Sequence, residues 1–300
     1  MLRFITLCLS LFLGLTVLSY GQNKYDKVEI KTIPVGDGIY MLQGAGGNIG
    51  ISTGEDGVLM IDDQFSPLTQ KILDAIAKIS DKPVKFLINT HWHGDHTGGN
   101  ENLGKMGVVI VAHDNVYRRM SKDQVIKAFN MKSPPAPKAA LPVITFNDQV
   151  NFHFNAMEIH VHHIKNAHTD GDSILIFKDR NIIHTGDIFF NGFYPFIDSR
   201  TGGSIYGMIK ATAIILKHSD DKTKIIPGHG PLANKQDLQN FHDMLVQVVE
   251  AVTPLAQKGL SLEEATKQDP LKDLNAKWGG GFFSPEKFLG TIYQTILDHK

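Results

Sequence analysis

The sequence predicts an α/β (α+β) chain: an αββα sandwich of two mixed β-sheets packed face to face, with helices on the outer faces. Three observations carry this. Short β-type runs punctuated by glycine fill the stretch from Val28 to Asp63, a second strand-rich stretch covers about 149 to 185, and each half is followed by apolar residues at helical spacing. Two sheets that each own a set of helices bury both of their faces most simply by packing on one another and covering the outer sides.

The elements follow in order. Val28-Glu29-Ile30, Gly38–Leu42, Asn48–Ile51 and Gly57–Asp62 read as meander strands of one sheet. Leu68, Ile72, Ala75, Ile76 and Ile79 recur at helical spacing, and Asp81-Lys82-Pro83 closes that helix. A strand is expected over 84–89 and another over Val108–Ala112, followed by a helix from about Asp114 to Phe129. Met131-Lys132-Ser133-Pro134-Pro135-Ala136-Pro137 cannot continue that helix; it is either a connector or, with its surroundings over 130–142, a flap beside a site. Strands are expected at 149–154, 157–164, 173–178, 181–185 and Lys224–Ile226, with helices at about 204–218, 234–257 and 286–298. No low-complexity stretch or linker interrupts residues 22–300, which are read as a single domain with C-terminal helices.

Residues 1–21 read as a secretory leader. Arg3 supplies the positive end, Phe4–Leu18 the apolar core, and Ser19-Tyr20-Gly21 the small residues before Gln22. The apolar run is too short for a comfortable membrane span, so cleavage and a periplasmic or secreted product are expected, with no stable membrane insertion afterwards. The single cysteine, Cys8, lies in this leader, so the processed chain would have neither disulfides nor cysteine ligands. Thirty basic side chains face 31 acidic ones. That balance gives no electrostatic case for nucleic acid, and a small-molecule substrate is expected. Oligomeric state is left open.

Function is concentrated in His91-Trp92-His93-Gly94-Asp95-His96, directly after an apolar strand. Histidines at i and i+2 of an extended chain point the same way, so His91 and His93 can grip one ion. Gly94 permits a reversal that sends Asp95 and His96 toward a place for a second ion. Imidazole and carboxylate suit zinc, with iron or manganese behind it. Further donors stand after downstream strands, each flanked by glycine or in a turn: His168, Asp187 and His229.

With these residues in place the chain resembles the metallo-β-lactamase superfamily, from about Asn48 to Pro231. The resemblance implies a dinuclear centre in which His91, His93 and His168 hold one metal, Asp95, His96 and His229 the other, and Asp187 bridges them. Asp62 would orient the ligand loop. A bridging aspartate is similar to that of the hydroxyacylglutathione hydrolases and lactonases, and sets the chain apart from the classes with a cysteine ligand. The implied activity is that of an exported enzyme with two zinc ions. It would open a carbonyl C–N, C–O or C–S bond in a β-lactam, lactone, ester or thioester by metal-bound hydroxide, with Asp95 as the catalytic residue that orients the nucleophile. The alternatives are an iron-dependent, sulfur dioxygenase-like oxidoreductase on the same scaffold and a non-catalytic periplasmic metal-binding protein. Phe193, Tyr194 and Phe196, in the aromatic run after Asp187, and Tyr206 in the next helix are candidate substrate contacts; the same rings could equally be core. His160, His162, His163 and His184 are assigned to packing or support.

Overall fold

The computed structural model describes residues 24–298. The leader expected over 1–21, Cys8 included, lies outside the described residues.

The chain opens with an antiparallel meander of β1 (Lys31–Gly36), β2 (Ile39–Gln43), β3 (Ile49–Gly54) and β4 (Gly57–Ile61). There follow α1 (Thr69–Ala77), β5 (Val84–Asn89), the short helices α2 (Gly94–Thr97) and α3 (Asn100–Lys105), and β6 (Val109–His113). Then come α4 (Asp114–Met120), a separate hairpin of β7 (Gln124–Ile126) and β8 (Met131–Ser133), and β9 (Ile144–Phe146). The first sheet runs β1-β2-β3-β4-β5-β6-β9, parallel from β4 onward.

The second half supplies β10 (Gln149–Phe154), β11 (Met157–His163), β12 (Ser173–Phe177), β13 (Ile182–His184), α5 (Ile205–Lys217), β14 (Lys224–Ile226) and β15 (Ala233–Asn234). It closes with α6 (Lys235–Gln257), α7 (Leu262–Lys267), α8 (Lys272–Trp278) and α9 (Pro285–Asp298). The second sheet runs β10 to β15 in sequence order, antiparallel except for β13 beside β14.

Strand alternation assigns the layers. In β4, Leu59 and Ile61 enter an inter-sheet core with Ile159, Val161, Leu175 and Phe177, while Val58 and Met60 join Ile72 and Ile76 of α1 on the outer side. The second sheet's outer face shares a cluster with α5, α6 and α9 through Ile183, Ile205, Phe241, Val248 and Ile292. These are the helix, sheet, sheet and helix layers expected.

The departures are local. The first strand forms at Lys31–Gly36 instead of Val28–Ile30, where the edge of the sheet tolerates Pro34, whose nitrogen has no proton to donate. Val28 and Ile30 pack instead, half-buried, against the α1 layer. The helix expected to reach Phe129 stops at Met120, because Ser121-Lys122-Asp123 offers no apolar residue to prolong its buried stripe. The chain turns into the β7–β8 hairpin instead, with Asn130 at φ +48° in its turn. The segment 130–142 is thus partly structured, and β9, β15, α2, α3, α7 and α8 are further elements that the sequence pattern does not announce.

Candidate metal centre

All seven expected donors arrive at one rim, where strands hand over to loops. His91 and His93 follow β5, Asp95 and His96 lie in α2, His168 follows β11, Asp187 follows β13 and His229 follows β14. Three overlapping groups result: His91, His93 and His168; His91, His96 and Asp187; Asp95, His96 and His229. Within each the donor atoms lie within 4.8 Å of one another, and no other such cluster occurs among the described residues. His93 Nδ1 is 2.8 Å from His168 Nε2, and His96 Nε2 is 3.4 Å from His229 Nε2. Asp187 stands between the two halves: its Oδ2 is 3.7 Å from His91 Nε2, 3.5 Å from His168 Nε2 and 3.5 Å from His229 Nε2, and its Oδ1 is 3.1 Å from His96 Nε2. Asp95 Oδ2 lies 3.2 Å from His229 Nε2 and 3.7 Å from His96 Nε2.

Each imidazole is oriented by what its far nitrogen does. His96 Nδ1–H donates to Asp62 Oδ2 at 2.7 Å, which aims Nε2 inward. His168 Nδ1–H donates to the Phe196 carbonyl at 2.7 Å. His93 is turned the other way, Nε2–H to Asp198 Oδ2 at 3.2 Å, so that Nδ1 faces the site. His91 Nδ1 lies 3.1 Å from the Thr90 hydroxyl, which itself donates to Asp62 Oδ2 at 2.7 Å. Asp62 also accepts from the Thr90 N–H at 2.8 Å, so one carboxylate pins both Thr90 and His96. It does so from a left-handed backbone, φ +59°, which aspartate tolerates better than most residues. Asp172 accepts the N–H groups of His168 and Thr169 at 2.7 and 2.8 Å, fixing the turn that presents His168.

Two glycines make room. A β-carbon at Gly47 would stand 2.1 Å from His96 Cε1, and one at Gly228 would stand 2.0 Å from Asp187 Oδ1.

Burial shapes the charges. It pushes His91 well below the ordinary imidazole range, with the charge of His96 adding to it, and it holds His168 at about 4 against the pull of Asp187. Burial opposes ionisation of Asp187 and Asp95 as well, but His96 and His229 outweigh it and hold both carboxyls low. Reciprocally, Asp187 and Asp95 overcome burial to lift His96 well up and His229 to about 9. In the bare chain, protons on His96 and His229 therefore do the work of a cation among the carboxylates. Buried His91 Nε2 has no hydrogen-bond partner, and Asp187 Oδ1 has only the ion-pair contact with His96 Nε2 at 3.1 Å. Imidazole nitrogens converging at 2.8 and 3.4 Å, the orphaned His91 Nε2 and a set of nitrogen and oxygen ligands without thiolate all fit a divalent cation.

Aromatic side chains surround this rim. Phe196, buried, packs its ring 5.6 Å from His93 and 5.7 Å from His168, and lines a neighbouring cavity of about 600 Å³ with Ala128, Asp198, Arg200, Phe283 and Lys287. Phe193 is half-buried against Phe190 and Phe282. Tyr194 is core: fully buried, it stacks on Phe288 at 4.3 Å and donates its hydroxyl to Asn275 Oδ1 at 3.0 Å. Tyr206 is half-buried against the same core at the start of α5. The other histidines of the second half stay outside the centre, His163 stacking on His113 at 3.6 Å. The sequence did not mark Asp198, Phe129 or Phe282. Asp198 sits 105 residues from the His93 it holds, with no spacing signal to join them.

Residues 43–229 match the model of the metallo-beta-lactamase superfamily. A curated hydroxyacylglutathione hydrolase from Pelagibacter ubique (strain HTCC1062) is 27% identical over 157 residues, 51% of this chain and 56% of that one, so the chain spans about half the length of this relative. Similar solved structures include a metallo-beta-lactamase from Pontibacter korlensis, with a TM-score of 0.60 at 18% identity over 73% of this chain and 99% of that one. The DIM-1 metallo-beta-lactamase gives 0.59 at 14% identity, again over 73% and 99%. The sec-alkylsulfatase Pisa1 from Pseudomonas sp. gives 0.66 at 17% over 88% of this chain and 50% of that one. At these identities the structural likeness speaks for the fold alone.

Proposed function

The chain belongs to the metallo-β-lactamase superfamily; from that membership we propose that it is a hydrolase, and from the leader read over residues 1–21 that it is exported. It holds two zinc ions and opens a carbonyl C–N, C–O or C–S bond in a small β-lactam, lactone, ester or thioester. The observation that carries this is the convergence of seven donors on one rim, with the buried His91 Nε2 left without a hydrogen-bond partner. His91, His93 and His168 would hold one ion, Asp95, His96 and His229 the other, with Asp187 between them. When bound, such a pair lowers the pKa of coordinated water toward ~7 and polarises a carbonyl, which supplies a nucleophile without serine or cysteine. The hydroxyacylglutathione hydrolase relative favours an ester or thioester within this class.

The protein's part is positioning and proton handling. Asp62, Thr90, Asp198 and the Phe196 carbonyl lock the imidazoles so that no reorganisation is needed at the moment of reaction. Asp187, 5% exposed, serves as a buried link between the two donor sets. Asp95 is different: at 27% exposure its carboxylate reaches the opening, where it can accept the nucleophile's proton and return it to the leaving group. Residues 22–300 act as one domain on a small molecule, without nucleic acid and without stable membrane insertion.

The test is a panel of nitrocefin, a lactone and a thioester, run on protein stripped by chelator and reloaded with zinc, iron or manganese. Turnover with zinc that vanishes on chelation is expected; turnover of none of the three by zinc-loaded protein, or turnover that survives chelation, overturns the reading. Replacing Asp95 by Asn should lower kcat roughly 10²–10⁴-fold, the usual reach of proton transfer by a positioned side chain. An Asp95→Asn protein with the wild-type metal content and the wild-type rate would remove that role.

A further inference from the structure

Phe282 is 54% exposed, yet its ring centroid stands 5.6 Å from the His229 imidazole. It belongs to a group of four rings. Phe190 lies nearly parallel to His229, 5.1 Å away with a 13° interplanar angle. Phe193 meets Phe190 at 5.8 Å and Phe282 at 5.9 Å. Phe129, 40% exposed in the turn of the β7–β8 hairpin, lies 6.4 Å from Phe282 and 4.9 Å from Phe196.

One of these rings comes from outside the matched part of the chain. Phe282 sits beyond residue 229, where the family match ends, in a loop led by Gly279-Gly280-Gly281, and folds back over the second donor set. Its neighbour Phe283 is fully buried, so the loop's anchoring to the core is complete without Phe282. A large ring left half in water beside reactive groups, joined to two further phenyl faces at the opening, is the kind of surface that a ligand covers. The four side chains bring neither charge nor hydrogen-bonding groups, which favours a hydrocarbon group over an anionic one.

We propose that Phe129, Phe193 and Phe282, backed by the fully buried Phe190, form an apolar subsite that takes an alkyl or aryl group flanking the scissile carbonyl, on the side of the centre held by Asp95 and His229. This rests on the hydrolase reading above and assigns its substrate class: esters, thioesters or lactones bearing a hydrophobic chain or ring.

The test separates the two claims. Straight-chain hydroxamates from aceto- to octanohydroxamate, and phenylacetohydroxamate, are titrated into zinc-loaded protein by calorimetry, beside hydrolysis of thioesters with the same acyl groups. Affinity should rise with each methylene, by roughly fourfold where the group is fully buried. Phe282→Ala should weaken the long homologues more than the short, so that the slope falls, and Phe282→Leu should restore most of it. Metal content, measured on every variant, controls for damage to the centre. A wild-type series that is flat or fails to bind, or a Phe282→Ala slope equal to wild type, overturns the subsite. A steep hydroxamate slope with no hydrolysis of any thioester, ester or lactone leaves the subsite standing and defeats the hydrolase reading.

Discussion

The protons that matter most are those on the far side of each ligand ring. Asp62 takes the Nδ1 proton of His96, and Asp198 takes the Nε2 proton of His93, so two carboxylates decide which nitrogen of each ring is free to bind. Exchanging Asp62 for Asn tests this with almost no change of shape. Asn can still accept from the Thr90 N–H, but its NH2 group then meets the His96 Nδ1–H donor to donor, and the ring shifts its proton to Nε2 to relieve the conflict. The second donor set then loses a lone pair. Metal affinity there should fall about 10–100-fold, the usual cost of removing such a partner. Competition against a chromophoric chelator measures it, and an unchanged second binding constant would show that Asp62 only supports the fold. The donors themselves were legible because chemistry packs four of them into six residues and the rest stand after strands, Asp187 and His229 beside glycine and His168 in a turn. Asp198 was not legible, since its role arises only when the loop after Asp187 folds across His93.

Elements position the site by clamping loops to strands. Asn48, 4% exposed at the start of the β3 hairpin arm, donates its side-chain amide to the Pro227 and Gly230 carbonyls, both at 2.9 Å, and its N–H to the Gly228 carbonyl at 2.7 Å. It thereby fastens the His229 loop of the second sheet to the first. Asn48→Leu should leave the Pro227 carbonyl without its partner and the Gly230 carbonyl with Gln43 Nε2 alone, and destabilise the stripped protein by about 1–3 kcal/mol. Urea unfolding reads that loss, and a midpoint equal to wild type would mean the loop holds itself. The long elements could be read in advance because their signal is local. In α6, expected over 234–257 and found over Lys235–Gln257, Asn234 and Asp237 form a capping box and Leu238, Phe241, Leu245, Val248 and Val252 make one buried stripe. The short ones could not. β9 has three residues and exists by pairing with β6, and the β7–β8 hairpin is placed by contacts of Phe129 with rings from residues 196, 282 and 283. Such contacts leave no periodic trace in the sequence.

At the scale of the whole molecule, the stripped protein carries buried imidazoles that pull its stability in opposite directions with pH. Burial, chief among the causes, lowers His91 and holds His168 and His184 at about 4, so these rings fold uncharged. An unfolded chain takes up their protons near pH 6.5, so their contribution is present above 6.5 and is lost as pH falls toward 4. For His96 and His229 the sign reverses. Burial is overcome by Asp187 and Asp95, His229 rises to about 9, and the stability these two lend is present below 6.5 and is lost as pH climbs through 9. For His168, His184 and His229 displacements of this size are worth on the order of 3 kcal/mol per ring, so the stripped protein should be most stable near neutrality and weaken on both sides. Cations change the alkaline limb, because metal binding requires neutral imidazole and takes the place of the protons on His96 and His229. Zinc-loaded protein should therefore hold its stability up to pH 9 and lose it more steeply than the stripped form below 6.5, where protons compete for the ligands. Urea midpoints from pH 4.5 to 9.5, with and without zinc, decide the matter. A stripped protein that is flat from 6.5 to 9, or an alkaline loss that persists with zinc bound, would mean that the carboxylates do not keep His96 and His229 charged and that the electrostatic account of the centre is wrong.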